Sequence, residues 1–149
     1  MTKSIYSACL LLYSLALVSG NADALCVTVS EANLRSGPGM NYDKTWEVYK
    51  YMPLQKVGQK GDWYQVKDVD GDSHWIYKKL VSASVHCAVV RKSTANVRTG
   101  PGTNYRKVGW SPVEHYYSFR RIGSKGDWIK VKDEAGDTGW VAKSLLWLQ

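Results

Sequence analysis

The residue types most able to do chemistry stand at matched places in two copies of one phrase. Asn33-Leu34-Arg35-Ser36-Gly37-Pro38-Gly39 is followed by Asn41-Tyr42, and Asn96-Val97-Arg98-Thr99-Gly100-Pro101-Gly102 by Asn104-Tyr105. An arginine precedes each Gly-Pro-Gly and a tyrosine follows it. The guanidinium groups of Arg35 and Arg98 can receive a ligand carboxylate, or they can hold the carbonyls of the loop beside them. Tyr42 and Tyr105 also have two readings: one wall of a binding groove, or a packed ring whose hydroxyl caps the loop. Asn33 and Asn96 are suited to hydrogen-bonding the local backbone.

A second pair of motifs adds indoles. Lys60-Gly61-Asp62-Trp63-Tyr64-Gln65-Val66-Lys67-Asp68 matches Lys125-Gly126-Asp127-Trp128-Ile129-Lys130-Val131-Lys132-Asp133. Alternation places Tyr64 and Val66, or Ile129 and Val131, on one face of a strand. Trp63 and Trp128 fall on the other face with glutamine and lysine. A partly exposed indole offers a flat apolar surface and one N–H donor, which suits a peptide backbone or the face of a sugar. The bland alternative is an indole packed over the end of the fold.

Catalytic and metal chemistry find little support. A cysteine hydrolase needs a thiol paired with a base. His74, His86 and His115 have no counterpart at matched positions of the other copy, and the neighbours His86 and Cys87 point to opposite faces of any strand. No zinc-ligand spacing is present. Asp70-Gly71-Asp72 resembles a fragment of a calcium loop, but the full pattern is missing and turn chemistry explains it better. No catalytic residue, metal ligand or cofactor is assigned.

The elements that position these residues read as all-β. Gly-Pro-Gly forbids helix and shapes a tight loop at a strand end. The strands Trp63–Asp68 and Trp128–Asp133 lead into Asp70-Gly71-Asp72 and Glu134-Ala135-Gly136-Asp137, which are hairpin turns. Strands holding Trp75-Ile76-Tyr77 and Trp140-Val141-Ala142 follow; Trp75 and Trp140 read as framework. Lys78-Lys79-Leu80 and Lys143-Ser144-Leu145 each make a single closing turn. The phrase repeats from Asn33 to Asn96, 63 positions on, whereas Lys60 and Lys125 are 65 apart. A two-residue insertion therefore falls between Tyr105 and Lys125. Many short strands in two units of about 60 residues predict two small barrels, closed so that sheet edges are hidden. A linker over about residues 82–86 is short enough that the units abut.

The chain of 149 residues opens with a basic Lys3, an apolar stretch and Ala22-Asp23-Ala24, the pattern of a cleavable leader over residues 1–24. The apolar stretch falls short of the roughly 18–20 residues of a spanning helix, so no transmembrane span is expected after cleavage. Net charge is +7 and is uneven. Residues 25–86 carry 8 basic and 7 acidic residues, net +1; residues 87–149 carry 11 and 5, net +6. Export and the mixed charge of the first unit argue against nucleic acid as partner. Cys26 and Cys87 are the two cysteines beyond the leader, so one intramolecular pairing is possible in an oxidising compartment; two separate buried thiols are the other reading.

Asn-Leu-Arg-Ser-Gly-Pro-Gly, then Gly-Asp-Trp-Tyr-x-Val, then the Trp75 region resemble the bacterial Src-homology-3 (SH3) domain. The second copy resembles it more closely, with Gly139-Trp140 intact; the first has His74 before Trp75, where a Cβ is expected to reshape the adjoining turn. The resemblance covers nearly all of the chain after the leader, twice. It implies SH3-like barrels over residues 25–83 and 87–149, five to six strands in each. It implies a binding module whose ligand groove is lined by the tryptophan at the strand start, hence Trp63 and Trp128. The barrel fold brings its own ends together, which places Cys26 beside Cys87 and implies a disulfide. The partner implied is peptidoglycan or a cell-wall peptide, in the periplasm or outside a bacterial cell. The alternative is an envelope adaptor that docks on a protein.

Overall fold

The computed structural model describes residues 23–149. The expected leader lies outside these residues except for Asp23 and Ala24. Both take part in the first sheet: Ala24 pairs with Gln55, and the Asp23 carbonyl accepts the Lys56 N–H at 2.7 Å. A cut after Ala24 would leave Leu25–Val27 of that strand.

The first unit has seven strands: β1 (Ala24–Val27), β2 (Glu31–Arg35), β3 (Lys44–Tyr49), β4 (Pro53–Lys60), β5 (Trp63–Lys67), β6 (Ser73–Tyr77) and β7 (Val81–Ser82). The second has β8 (Cys87–Val90), β9 (Thr94–Ala95), β10 (Val113–Glu114), β11 (Ser118–Lys125), β12 (Trp128–Lys132), β13 (Thr138–Ala142) and β14 (Leu146–Leu148). Single 3₁₀ turns cover Lys78–Leu80 and Lys143–Leu145. No α-helix occurs among the described residues, and no helix there is long and apolar enough to cross a membrane.

The first sheet runs β3-β2-β6-β5-β4-β1-β7, all neighbours antiparallel. The second unit holds a five-stranded sheet, β13-β12-β11-β8-β14, and the separate pair β10-β9. Neither order returns to its first strand, so the full closure expected from the sequence is not seen. Matched bulges, Lys56/Gly58 in β4 and Arg121/Gly123 in β11, bend the long strands instead. The β4–β5 and β11–β12 hairpins turn on Gly61 and Gly126, with φ of 57° and 56°. A side chain at either position would strain the left-handed backbone.

The predicted alternation shows in the burial. Val66 and Ile76 of the first unit, and Val131 and Val141 of the second, are fully buried, while Trp63, Trp75, Trp128 and Trp140 are half-buried on the opposite face. Burying each such aliphatic side chain stabilises by about 1.5–3 kcal/mol. Ala32 pairs with Val48, and Ala95 with Val113, so the partner shifts from 16 to 18 positions ahead. Tyr51 and Tyr116 both have φ of 69° and are 65 positions apart. The two-residue insertion therefore lies between Tyr105 and Val113. It replaces the continuous β3 with an isolated bridge, Arg98 to Lys107, followed by β10.

The units abut. Cys26 and Cys87 form a disulfide with Cα atoms 6.0 Å apart, and both residues are fully buried. Val89 of β8 belongs to the hydrophobic core of the first unit, and Tyr116 and Trp147 pack against that core. The core of the second unit draws on its own residues, Phe119 being the largest side chain in it.

Candidate functional site

Cross-strand register assembles the site. In the first unit Gln65 pairs with Trp75 and Trp75 with Arg35, forming one row across the outer face. The neighbouring row is Lys60, Trp63 and Tyr77. In the second unit the rows are Lys130, Trp140 and Arg98, then Lys125, Trp128 and Ala142. Trp75 and Trp140, expected as framework, thus share the half-exposed face with the candidate ligand tryptophans. The phase of the strands holds them there, since their neighbours Ile76 and Val141 take the inward positions.

The arginines turn to the loops. Arg35 donates from Nη1 to the Tyr42 carbonyl at 3.0 Å, and Arg98 from Nη1 to the Tyr105 carbonyl at 3.0 Å. Arg98 Nε is buried and meets no hydrogen-bond partner among the described residues. The tyrosine rings lie against the glycines. A Cβ added at Gly37 would stand 2.3 Å from the Tyr42 ring, and one at Gly100 2.3 Å from the Tyr105 ring. The motif needs glycine here because the ring occupies the space a side chain would take. Each ring leaves its other side in solvent, with Tyr42 43% and Tyr105 42% exposed.

The two strand-start tryptophans differ in their surroundings. The Tyr77 ring stands beside Trp63, tilted against it, with centroids 5.7 Å apart. Beside it Lys78 Nζ meets Asp62 Oδ1 at 3.0 Å, and that hydrogen bond, then the aspartate charge, holds the lysine above its ordinary pKa. At Trp128 the tyrosine is replaced by Ala142, and no ion pair joins Asp127 to Lys143 among the described residues. The result is a shallow cavity of about 360 Å³ lined by Asp127, Trp128, Ala142, Lys143 and Ser144. Sequence reasoning ranked the two tryptophans alike; the signal that separates them is the Tyr77/Ala142 difference, legible only with the register.

The turns after β5 and β12 are built on buried aspartates. Asp68 Oδ1 accepts the N–H groups of Asp70 and Asp72, both at 2.9 Å, and Asp133 Oδ1 accepts that of Asp137 at 2.8 Å. The backbone bonds Gly71 N to Asp68 O and Gly136 N to Asp133 O also correspond. The turn before His74 thus keeps the bonds from Asp72 and Gly71 that Asp137 and Gly136 make in the second unit, contrary to the expected reshaping. The Asp70 bond has no counterpart from Ala135 among the described residues. The His74 ring is taken up between Asp68 Oδ2 at 2.8 Å and the Thr45 hydroxyl at 2.7 Å. At Gly139 a Cβ would sit 2.4 Å from Val97 Cγ1, so the second unit has no room for one. Carboxylate oxygens of Asp68, Asp70 and Asp72 lie within 4.8 Å of one another, but those of Asp68 are already engaged by the turn and by His74. Cys26 and Cys87, bonded to each other, offer no free thiol as a nucleophile.

Sequence reasoning missed a second concavity, the cleft between the units. It is lined by Trp46, Glu47, Tyr49 and Lys50 on one side and by Glu114, Tyr116, Tyr117 and Glu134 on the other. Trp46 and Tyr116 meet edge to face with centroids 5.0 Å apart. Ser118 Oγ donates to the Lys50 carbonyl at 2.7 Å. Of its lining residues Tyr116 has a matched tyrosine, Tyr51, 65 positions earlier, but no motif in the sequence marks a cleft.

Comparison with known proteins agrees with the repeat. A Bacillus subtilis (strain 168) protein named "Putative N-acetylmuramoyl-L-alanine amidase YrvJ" is 28% identical over 130 residues, covering 80% of this chain and 24% of that protein. The chain thus spans about a quarter of the length of that relative. Among solved structures, an NlpC/P60 family protein from Bacillus cereus ATCC 10987 aligns over 85% of this chain and 56% of its own, at 14% identity and a TM-score of 0.39. The structure titled endolysin LysPBC5 CBD aligns over 85% of this chain and 93% of its own, at 12% identity and a TM-score of 0.35. Family models described as the bacterial SH3 domain match residues 28–83 and residues 93–146. With those two matches spanning both copies of the Gly-Pro-Gly and Gly-Asp-Trp motifs, the chain belongs to the bacterial SH3 domain family, as two such domains in tandem.

Proposed function

We propose that this is an exported, non-catalytic binding protein that recognises peptidoglycan or its peptides through the outer face of the second unit. The observation that carries the reading is the half-buried indole of Trp128, which lines a cavity with Asp127 and Lys143. An indole there supplies stacking area to a sugar or a peptide plane. The flanking carboxylate and ammonium supply an acceptor and donors for the polar groups at its edge. The net charge of +6 on residues 87–149 favours an anionic polymer as the surface approached. The leader pattern and the Cys26–Cys87 bond support an oxidising compartment outside the cytoplasm. The name of the 28% identical relative points to the same polymer.

The test is co-sedimentation with purified peptidoglycan. The chain pellets with the polymer, and Trp128→Ala lowers its apparent affinity about fivefold to tenfold, the loss of roughly 1–1.5 kcal/mol of aromatic contact. Melting changes little, because Trp128 stands outside the core of its unit. A chain left in the supernatant, or a Trp128→Ala variant that pellets like the parent, sinks the reading.

A further inference from the structure

The cleft between the units has a composition at odds with the rest of the molecule. We propose that it binds a protonated primary amine, of the kind carried by a lysine side chain or a free peptide amino group. This site does not use the Trp128 face and goes beyond the wall-binding reading.

Charge distribution is the first support. Residues 87–149 have a net charge of +6 and 5 acidic residues. Asp133 and Asp137 are tied into the β12–β13 turn, and Asp127 borders the Trp128 cavity. The remaining two, Glu114 and Glu134, both line the cleft, where they are joined by Glu47 of the first unit. A basic chain has thus turned three carboxylates toward one concavity. The Glu114 carboxylate has no hydrogen-bond partner among the described residues. Glu134 accepts the Ser30 hydroxyl on one oxygen, Oε1, at 2.6 Å, and Glu47 is held by Lys44 and by the Tyr49 hydroxyl. A hydrogen bond with Glu47, followed by the Glu47 charge, raises the Glu31 pKa above its ordinary value. Negative charge is therefore crowded at this edge.

Shape and surface are the second, independent support. The cleft has a volume of about 430 Å³, within the roughly 300–1,000 Å³ of small-molecule sites. Its walls are aromatic, and two rings remain open to solvent: Tyr49 is 56% and Tyr117 38% exposed. Ring faces attract cations, and the carboxylates can only accept hydrogen bonds. An ammonium group, with three donors and a full positive charge, satisfies both. Lys50, the one lysine of the lining, keeps its ammonium over the Tyr51 ring at 5.4 Å. It is placed to meet a carboxylate on the same ligand. A short peptide bearing both groups is the chemical class that fits.

The probe is the peptide acetyl-Ala-Lys-Ala with a free C-terminal carboxylate, titrated into the isotopically labelled chain and followed by backbone amide shifts. Saturable shifts are expected at residues 46–52 and 114–118. The Nε-acetylated lysine peptide, which has lost the charge, is expected to bind at least about threefold more weakly. Glu114→Gln and Glu134→Gln should each weaken the lysine peptide by a similar factor, while Trp128→Ala leaves it unchanged. Glu114 is exposed and unpaired, so its variant keeps the fold; unchanged dispersion of the other amides checks this. Equal affinity for the charged and acetylated peptides overturns the proposal. So do shifts confined to the Trp128 face, or binding indifferent to both glutamine variants.

Discussion

Tyr116 of the second unit donates its phenolic hydrogen to Asp70 Oδ2 of the first, at 2.5 Å. The bond lands on the turn held by Asp68, so the electrostatics of that turn act directly on the tyrosine. The hydrogen bond to Asp70, then burial, then the aspartate charges push the Tyr116 pKa from 10.0 up to about 12. Each of these causes favours the neutral phenol.

The sign of the pH dependence follows. Between about pH 10 and pH 12 the folded chain keeps this proton while the unfolded chain loses it. Stability from the bond is therefore fully present below pH 10 and is lost as pH rises through 12. Thermal melts of the parent and of Tyr116→Phe check this. The parent should melt higher at pH 8, and the gap should close progressively from pH 10 to 12. The other tyrosines ionise in both proteins and cancel in the difference. A gap independent of pH would show that the hydroxyl makes no net contribution through Asp70.

The ring beside Trp63 and the cavity at Trp128 suggest a reciprocal exchange. Ala142→Tyr should place a ring beside Trp128 as Tyr77 stands beside Trp63, and so reduce retention on peptidoglycan about as far as Trp128→Ala does. Tyr77→Ala should uncover Trp63 and raise retention by the first unit. Both positions are half-buried on the outer face, so urea midpoints should move by less than about 1 kcal/mol equivalent. If Ala142→Tyr binds like the parent, the Trp128 indole is not the contact.

Much of this was open to reading from the chain alone, and the reason is local. Gly37 and Tyr42 are five positions apart, and Asp68 and Asp72 four, so the tight loop and the turn were legible in composition and spacing. The ring on the glycine and the Asp68 carboxylate on the turn emerged only from the structure. The faces of β5 and β12 follow from a period of two. The rest of what the sequence did not disclose depends on distant partners. Whether Tyr77 or Ala142 shadows a tryptophan depends on cross-strand register. The meeting of Trp46, Asp70 and Tyr116 depends on how one unit lies on the other, which no periodicity encodes. Closure was overestimated for a related reason: pairing at β3 and β7 depends on twist and bulges that short alternating strands do not reveal.

The disulfide should contribute most among single features. It closes a loop over 61 positions, which in the chain-entropy description stabilises by about 4 kcal/mol through the unfolded state. The paired variant Cys26→Ala with Cys87→Ala should lower the urea midpoint and steepen the slope, because the unfolded chain without the bond is less compact and exposes more surface. Chain lacking residues 1–24 should give no free thiol when unfolded without reductant. Two thiols in that titration would contradict the bond.

The last prediction concerns independence of the units. The first core includes Val89 at 0% exposure and is capped by Tyr116 and Trp147, all from beyond Cys87. The second core is assembled from residues 88–148 alone. Residues 25–86 made separately would lose a fully buried valine, worth about 1.5–3 kcal/mol, together with two aromatic covers and the disulfide. A unit of about 60 residues has little stability in reserve. Residues 87–149 made separately also lose the disulfide and the surface that faces the first unit, but keep their own core intact. The second unit should therefore show dispersed amide shifts and a cooperative melt, and the first should not. The order matters for function, because the unit expected to stand alone is the one with the Trp128 cavity and the net charge of +6. A cooperative melt of residues 25–86 would show that Val89 fills a space the first unit can close without it.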